Sequence, residues 1–85
     1  MSEWKFKNTP DIEDFVLNSL GVDFLIPAPE DDAICFYSNG DMMTIWPKEN
    51  KLIWEPLHPG EMSTSKLSLR LHQWFGKNIL IPVNQ

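Results

Sequence analysis

Hydrophobic positions near the start of the chain recur at the spacing of a helix. They follow Thr9 and Pro10 and are Ile12, Phe15, Val16 and Leu20. Threonine is a favourable N-cap and proline is tolerated at the first helical position. Glycine is typical of the position that follows a helix, so Gly21 marks the end. The pattern therefore predicts a first helix that opens at Thr9-Pro10 and stops at Gly21.

In the middle of the chain, apolar and polar residues alternate on both sides of Asn39-Gly40. This dipeptide is a strong hairpin signal, because both positions of the tight turn need positive φ. A two-residue turn pairs Ser38 with Asp41, and the register then continues back to Ile34 opposite Ile45. Alternation separates the two faces of this hairpin. The first face carries Ile34, Phe36, Met43 and Ile45; the second carries Cys35, Tyr37, Met42, Thr44 and Trp46.

A second turn follows at Pro47-Lys48-Glu49-Asn50, where proline fixes φ and asparagine tolerates a left-handed conformation. This turn predicts a third strand that sets Leu52 and Trp54 on the first face. Ile53 then lies beside Thr44 on the second face. The three strands form an antiparallel meander.

Helical spacing returns after a loop rich in proline and glycine. The apolar stripe consists of Leu67, Leu71, Trp74 and Phe75. Ser63, Thr64 and Ser65 are alternative N-caps for this second helix, and Gly76 ends it. An apolar run over residues 79–83 predicts a closing strand, and its proline suits an edge position or a strand end.

These elements predict an α+β fold in one compact domain over residues 1–85. Its sheet is a small antiparallel β-meander of three central strands with one or two short flanking strands, packed against two helices. The chain is 42% hydrophobic and 12% aromatic, which is too apolar for a disordered protein. Which face of the sheet the helices cover is left open by the pattern.

The charge balance limits the partners of the chain. Twelve acidic residues against seven basic ones give a net charge of −5. Such a chain is repelled by phosphate backbones, so we expect no direct binding to nucleic acid. The apolar runs are far shorter than a membrane span, and Cys35 has no second cysteine with which to form an internal disulfide. We expect a cytoplasmic protein that does not contact membranes.

The sequence offers no convincing catalytic, metal or cofactor site. Cys35 lies within a strand among apolar neighbours, where a thiol is usually inert. The cysteine and the histidines His58 and His72 lack the paired spacing of zinc ligands. Glycines are scattered and form no phosphate-binding loop. We therefore predict a protein that is not an enzyme and that needs no cofactor.

The second face of the meander is the candidate interaction surface. Its apolar members are Tyr37, Met42, Trp46 and Ile53, and residue types of this kind are favoured at the centres of interfaces. The carboxylates nearest to them are predicted to form an acidic rim, namely Asp31, Asp32 and Asp41. The alternative is that the N-terminal segment, with Trp4 and Phe6 two residues apart, or a helix covers this face.

In size, charge and tryptophan content the chain resembles small inhibitors that phages or mobile elements encode, such as anti-CRISPR, anti-restriction and immunity proteins and antitoxins. This resemblance implies a protein that sterically blocks a partner with a basic surface. One alternative is a small-ligand or nucleotide-binding module with His58, Arg70 and His72 in a pocket. Another is a homodimer that buries the second face.

Overall fold

The computed structural model describes residues 2–20, 32–57 and 65–83. Its elements are, in chain order, β1 (Ser2–Phe6), α1 (Ile12–Leu20), β2 (Ile34–Ser38), β3 (Asp41–Trp46), a 3-10 turn (Pro47–Glu49), β4 (Lys51–Glu55), α2 (Lys66–Gly76) and β5 (Leu80–Pro82). The strands form one antiparallel sheet in the order β2-β3-β4-β1-β5. The predicted α+β fold, a three-stranded antiparallel meander with one or two short flanking strands packed against two helices, is confirmed, and β1 and β5 are the flanking strands. The predicted helix stop at Gly21, the apolar sequence over residues 22–26 and most of the loop before α2 lie outside the described residues.

The hairpin of β2 and β3 forms in the predicted register, from Ser38 opposite Asp41 to Ile34 opposite Ile45. Asn39 and Gly40 have φ values of 52° and 88°, as the tight turn requires. Gly40 is also enclosed, because a Cβ there would lie 2.7 Å from Leu57 Cδ2. Backbone geometry and space therefore both favour glycine at this position.

The turn between β3 and β4 also forms as predicted. Asn50 adopts a left-handed conformation with φ of 60°, and its amide Nδ2 donates to the carbonyl of Phe6 at 2.9 Å. β4 then places Leu52 opposite Ile45 and Trp54 opposite Met43. The turn thus connects the meander to β1 in addition to reversing the chain.

The first helix begins later than the sequence pattern suggests. Its first helical residue is Ile12, and the carboxylate of Asp11 accepts a hydrogen bond from the backbone N–H of Asp14 at 3.0 Å. Thr9, the predicted cap, instead donates its hydroxyl to the carbonyl of Lys7. Aspartate is at least as good an N-cap as threonine, and the cap nearer the apolar stripe starts the helix.

The second helix is capped by Ser65, whose side chain accepts from the N–H of Ser68 at 3.1 Å. Leu67, Leu71 and Trp74 are buried, as predicted. Phe75 is not a core residue, because its side chain is 48% exposed at the edge of the apolar stripe. Its ring contacts Trp4 in an edge-on arrangement with centroids 5.4 Å apart.

The first strand lies inside the sheet, between β4 and β5. Trp4 is opposite Leu52 on β4, and Phe6 is opposite Leu80 on β5. Both aromatic side chains lie on the first face, where Phe6 is buried and its ring is 6.2 Å from that of Trp74. The alternative in which this segment covers the second face is therefore wrong.

The hydrophobic core lies between the helices and the first face of the sheet. Each helix contributes three apolar side chains: Ile12, Val16 and Leu20 from α1, and Leu67, Leu71 and Trp74 from α2. They belong to one cluster with Phe6, Ile34, Phe36, Met43, Ile45, Leu52, Trp54 and Leu80. Since both described helices bury their apolar stripes here, neither packs against the second face.

Candidate protein-interaction surface

The second face of the sheet, called the open face below, carries three rows of side chains that run across the strands. The strand registers define the rows. The first row is Tyr37, Met42 and Glu55; the second is Cys35, Thr44, Ile53 and Glu3; the third is Trp46, Lys51, Lys5 and Ile81. No described helix or strand lies over these rows.

The first row combines an exposed aromatic ring with a flexible apolar side chain and a charge. Tyr37 is 52% exposed and lies opposite Met42, which is partly buried and in turn lies opposite Glu55. Tyrosine presents a large contact area with few rotatable bonds, and methionine adapts to irregular surfaces. This row suits a protein contact.

The second row is the closely packed centre of the open face. Thr44 is only 7% exposed between Cys35 and Ile53. The sulfur of Cys35 lies 3.6 Å from the Thr44 hydroxyl, which is within range of a weak hydrogen bond. The central row is therefore closely packed at Thr44, largely apolar at Cys35 and Ile53, and ends at the carboxylate of Glu3.

The third row combines an aromatic ring with a nearby cation. The ammonium group of Lys51 lies 4.5 Å from the centroid of the Trp46 ring, and its Nζ is also 3.8 Å from a carboxylate oxygen of Glu49. A cation over an indole face is an attractive arrangement. Lys5 lies opposite Lys51, and the 41% exposed Ile81 lies beyond Lys5. The third row is therefore the basic end of the open face.

The structure places the four predicted apolar residues on one face, and it removes Asp41 from the predicted acidic rim. Asp31 lies outside the described residues. Asp32 is exposed and lies 3.4 Å from the Nζ of Lys48. Asp41 is 4% exposed, and its carboxylate accepts a hydrogen bond of 2.6 Å from the backbone N–H of Leu57. A buried carboxylate that holds a neighbouring segment does not form an exposed rim, so we assign Asp41 a structural role.

The charges that do lie on the open face were missed by the sequence interpretation. Glu55 and Lys51 share the face with Ile53, as alternation from Ile53 already implies. Glu3 and Lys5 are opposite Ile53 and Lys51, and their positions depend on the pairing of β1 with β4. The observed surface has an acidic end and a basic end.

The residues of the alternative ligand pocket do not converge in the described part of the chain. His58 lies outside it, and His72 is exposed on α2. The guanidinium of Arg70 donates to the side-chain oxygen of Gln73 at 3.0 Å, beside a shallow depression of about 270 Å³. Residues two apart on a helix do not face each other, which separates Arg70 from His72.

The described residues contain no group of three or more His, Cys, Asp or Glu side chains arranged to hold a metal ion. Within the same ranges, no helix has the length and apolar character that crossing a membrane requires.

Comparisons with protein-family models, with curated proteins and with solved structures found no match to this chain.

Proposed function

We propose that this chain is a non-enzymatic binding protein that docks on another protein through the open face. The observation that carries the proposal is the clustering of Tyr37, Met42, Trp46 and Ile53 on a sheet face that no described element covers. Contiguous apolar patches on soluble proteins usually mark contact sites. Aromatic residues and methionine are enriched at the centres of such sites.

The partner that fits best is a protein with a basic surface. The whole chain carries a net charge of −5, which attracts basic proteins and repels nucleic acid over distance. At close range, Glu3 and Glu55 flank the apolar residues, so basic groups of the partner would pair with them. Trp46 is the proposed anchor, because the ammonium of Lys51 lies 4.5 Å from its ring centroid, and a side chain ordered by such a contact loses less entropy on binding.

In biological terms, the proposal is a cytoplasmic inhibitor that acts by occupying the surface of its partner. A phage- or mobile-element-encoded anti-defence protein of the anti-CRISPR or anti-restriction type is our first proposal. It is supported by the small acidic chain and the resemblance in tryptophan content. An antitoxin or immunity protein would use the same face and the same steric mechanism.

Affinity capture with matched variants tests the proposal. Wild type, Trp46→Ala and Tyr37→Ser would be immobilised beside Leu69→Ala, which removes an exposed side chain from α2, on the other side of the sheet. The captured protein is then identified, purified and titrated against each variant. We expect Trp46→Ala to weaken binding by at least about tenfold, as removal of an interface anchor does. Leu69→Ala should bind like wild type.

The salt dependence of the purified complex tests the charge of the partner. Rising ionic strength should lower the association rate, since attraction between opposite charges is screened. Equal binding by wild type, Trp46→Ala and Tyr37→Ser would contradict the proposed surface. Binding that is insensitive to salt would contradict a basic partner.

A further inference from the structure

The charges on the open face are sorted along β4. Lys51 lies at one end of the strand, Glu55 lies at the other, and Ile53 lies between them. We propose that a second copy of this chain is a partner of the open face. Two copies would pack face to face about a two-fold axis that crosses the strands at Thr44 and Ile53. This inference rests on the proposed function, because it assigns a partner to the same docking surface.

Two-fold symmetry makes the arrangement self-complementary. Rotation about an axis along the central row exchanges the first and third rows. Lys51 of each copy then faces Glu55 of the other, and Met42 faces Trp46. Thr44 and Ile53 lie on the axis and face themselves, which places an apolar contact at the centre. Aligned packing of two sheets about 10 Å apart is a common arrangement of antiparallel sheets.

The two signs of charge favour this partner. Lys51 also lies 3.8 Å from Glu49 of its own chain, and Glu55 lies at the other end of the same strand. A second copy offers an acid to each Lys51 and a base to each Glu55. Glu3 would face its own counterpart, a like-charge contact away from the centre of the interface, and Lys5 lies two residues along the same strand.

The size of the face sets the expected strength of the dimer. Five strands of three to six residues, about 4.8 Å apart and rising about 3.3 Å per residue, give a projected face of roughly 400 Å². This is small in comparison with the roughly 800 Å² per partner of a standard protein interface. We therefore expect weak self-association, which a stronger partner would displace.

Sedimentation equilibrium from micromolar to millimolar concentration tests the dimer and its geometry. Lys51→Glu and Glu55→Lys each replace both intermolecular pairs of opposite charge with pairs of like charge. Each variant should therefore raise the dissociation constant of the dimer by about tenfold or more. The double variant Lys51→Glu/Glu55→Lys restores both pairs and should recover the dimer. Lys66→Glu on α2 and Glu13→Lys on α1 change the net charge equally at exposed positions and should dimerise like wild type.

Ile53→Lys provides a second test at the axis. It brings two ammonium groups together there, and their repulsion should abolish dimerisation. Circular dichroism confirms that each variant is folded. A wild type that stays monomeric overturns the inference, as do charge-reversed single variants that dimerise normally or a double variant that fails to recover. A monomeric wild type leaves the proposed function intact, because the face stays free for another protein. If the wild type dimerises but captures its partner equally well with and without Trp46 and Tyr37, the proposed function is contradicted and the dimer is not.

Discussion

The two faces of the sheet are built from similar residues but have different environments. On β3, Met43 and Ile45 are fully buried beneath the helices, whereas their neighbours Met42 and Trp46 remain partly exposed on the open face. Both faces thus carry methionine, isoleucine and tryptophan. Residue type alone therefore does not distinguish a core from a contact surface. The strand register and the position of the helices make that distinction.

Two tryptophans give the largest expected contrast between the faces. Trp54→Ala removes a core side chain that is 8% exposed and should lower the free energy of unfolding by about 3–5 kcal/mol. Trp46→Ala, on the open face, should cost about 1 kcal/mol, mainly through the lost contact with Lys51. Urea denaturation followed by circular dichroism measures both. Similar losses for the two variants would show that the open face is also part of the core.

Two adjacent methionines sharpen the contrast with identical chemistry. Met43 is fully buried and Met42 is partly exposed on the opposite face. Met43→Ala should destabilise the fold by about 2–5 kcal/mol, because it leaves a cavity beneath the helices. Met42→Ala should lower the free energy of unfolding by less than about 1 kcal/mol, because its partly exposed side chain leaves no buried cavity. Thermal melting at equal protein concentration provides the comparison, and a reversed order would contradict the assignment of the faces.

The sequence predicts the two faces of the meander because short turn motifs determine the strand register there. Asn39-Gly40 determines the hairpin register, and alternation then assigns Tyr37, Met42, Trp46 and Ile53 to one face. The position of β1 has no comparable signal, because Trp4 pairs with Leu52, far along the chain, and no tight turn links them. The edge-on contact between Trp4 and Phe75 could not be predicted for the same reason.

The charged part of the surface was predictable only in part. Asp41 shares the alternation of Met43 and Ile45, so its place on the covered face was already implied by the register. Its negative charge and its position next to the turn favour a surface role instead. The positions of Glu3 and Lys5 on the open face required the pairing of β1 with β4, which only the three-dimensional structure supplies.

The two carboxylates that sequence reasoning placed together in a rim should behave differently. Asp41→Asn weakens a buried, charge-assisted hydrogen bond to the N–H of Leu57 and should cost about 1–2 kcal/mol. Asp32→Asn removes an ion pair whose two side chains are 79% and 71% exposed, and it should change stability very little. Asparagine tolerates the positive φ of Asp32, so the backbone adds no strain. Equal effects in chemical denaturation would refute the distinction.

The smallest expected effect has the opposite sign and concerns the facing lysines of β1 and β4. Lys5 lies directly opposite Lys51 on the open face, and like charges in this position are destabilising. Lys5→Glu should therefore stabilise the fold by about 0.5 kcal/mol at low salt, and the gain should shrink as salt is added. Denaturation at two ionic strengths measures this difference, with Lys7→Glu as a control just beyond the end of β1. A loss of stability would show that both lysines serve the fold. A gain would mean that the open face keeps an unfavourable pair, as expected of a surface that serves binding rather than folding.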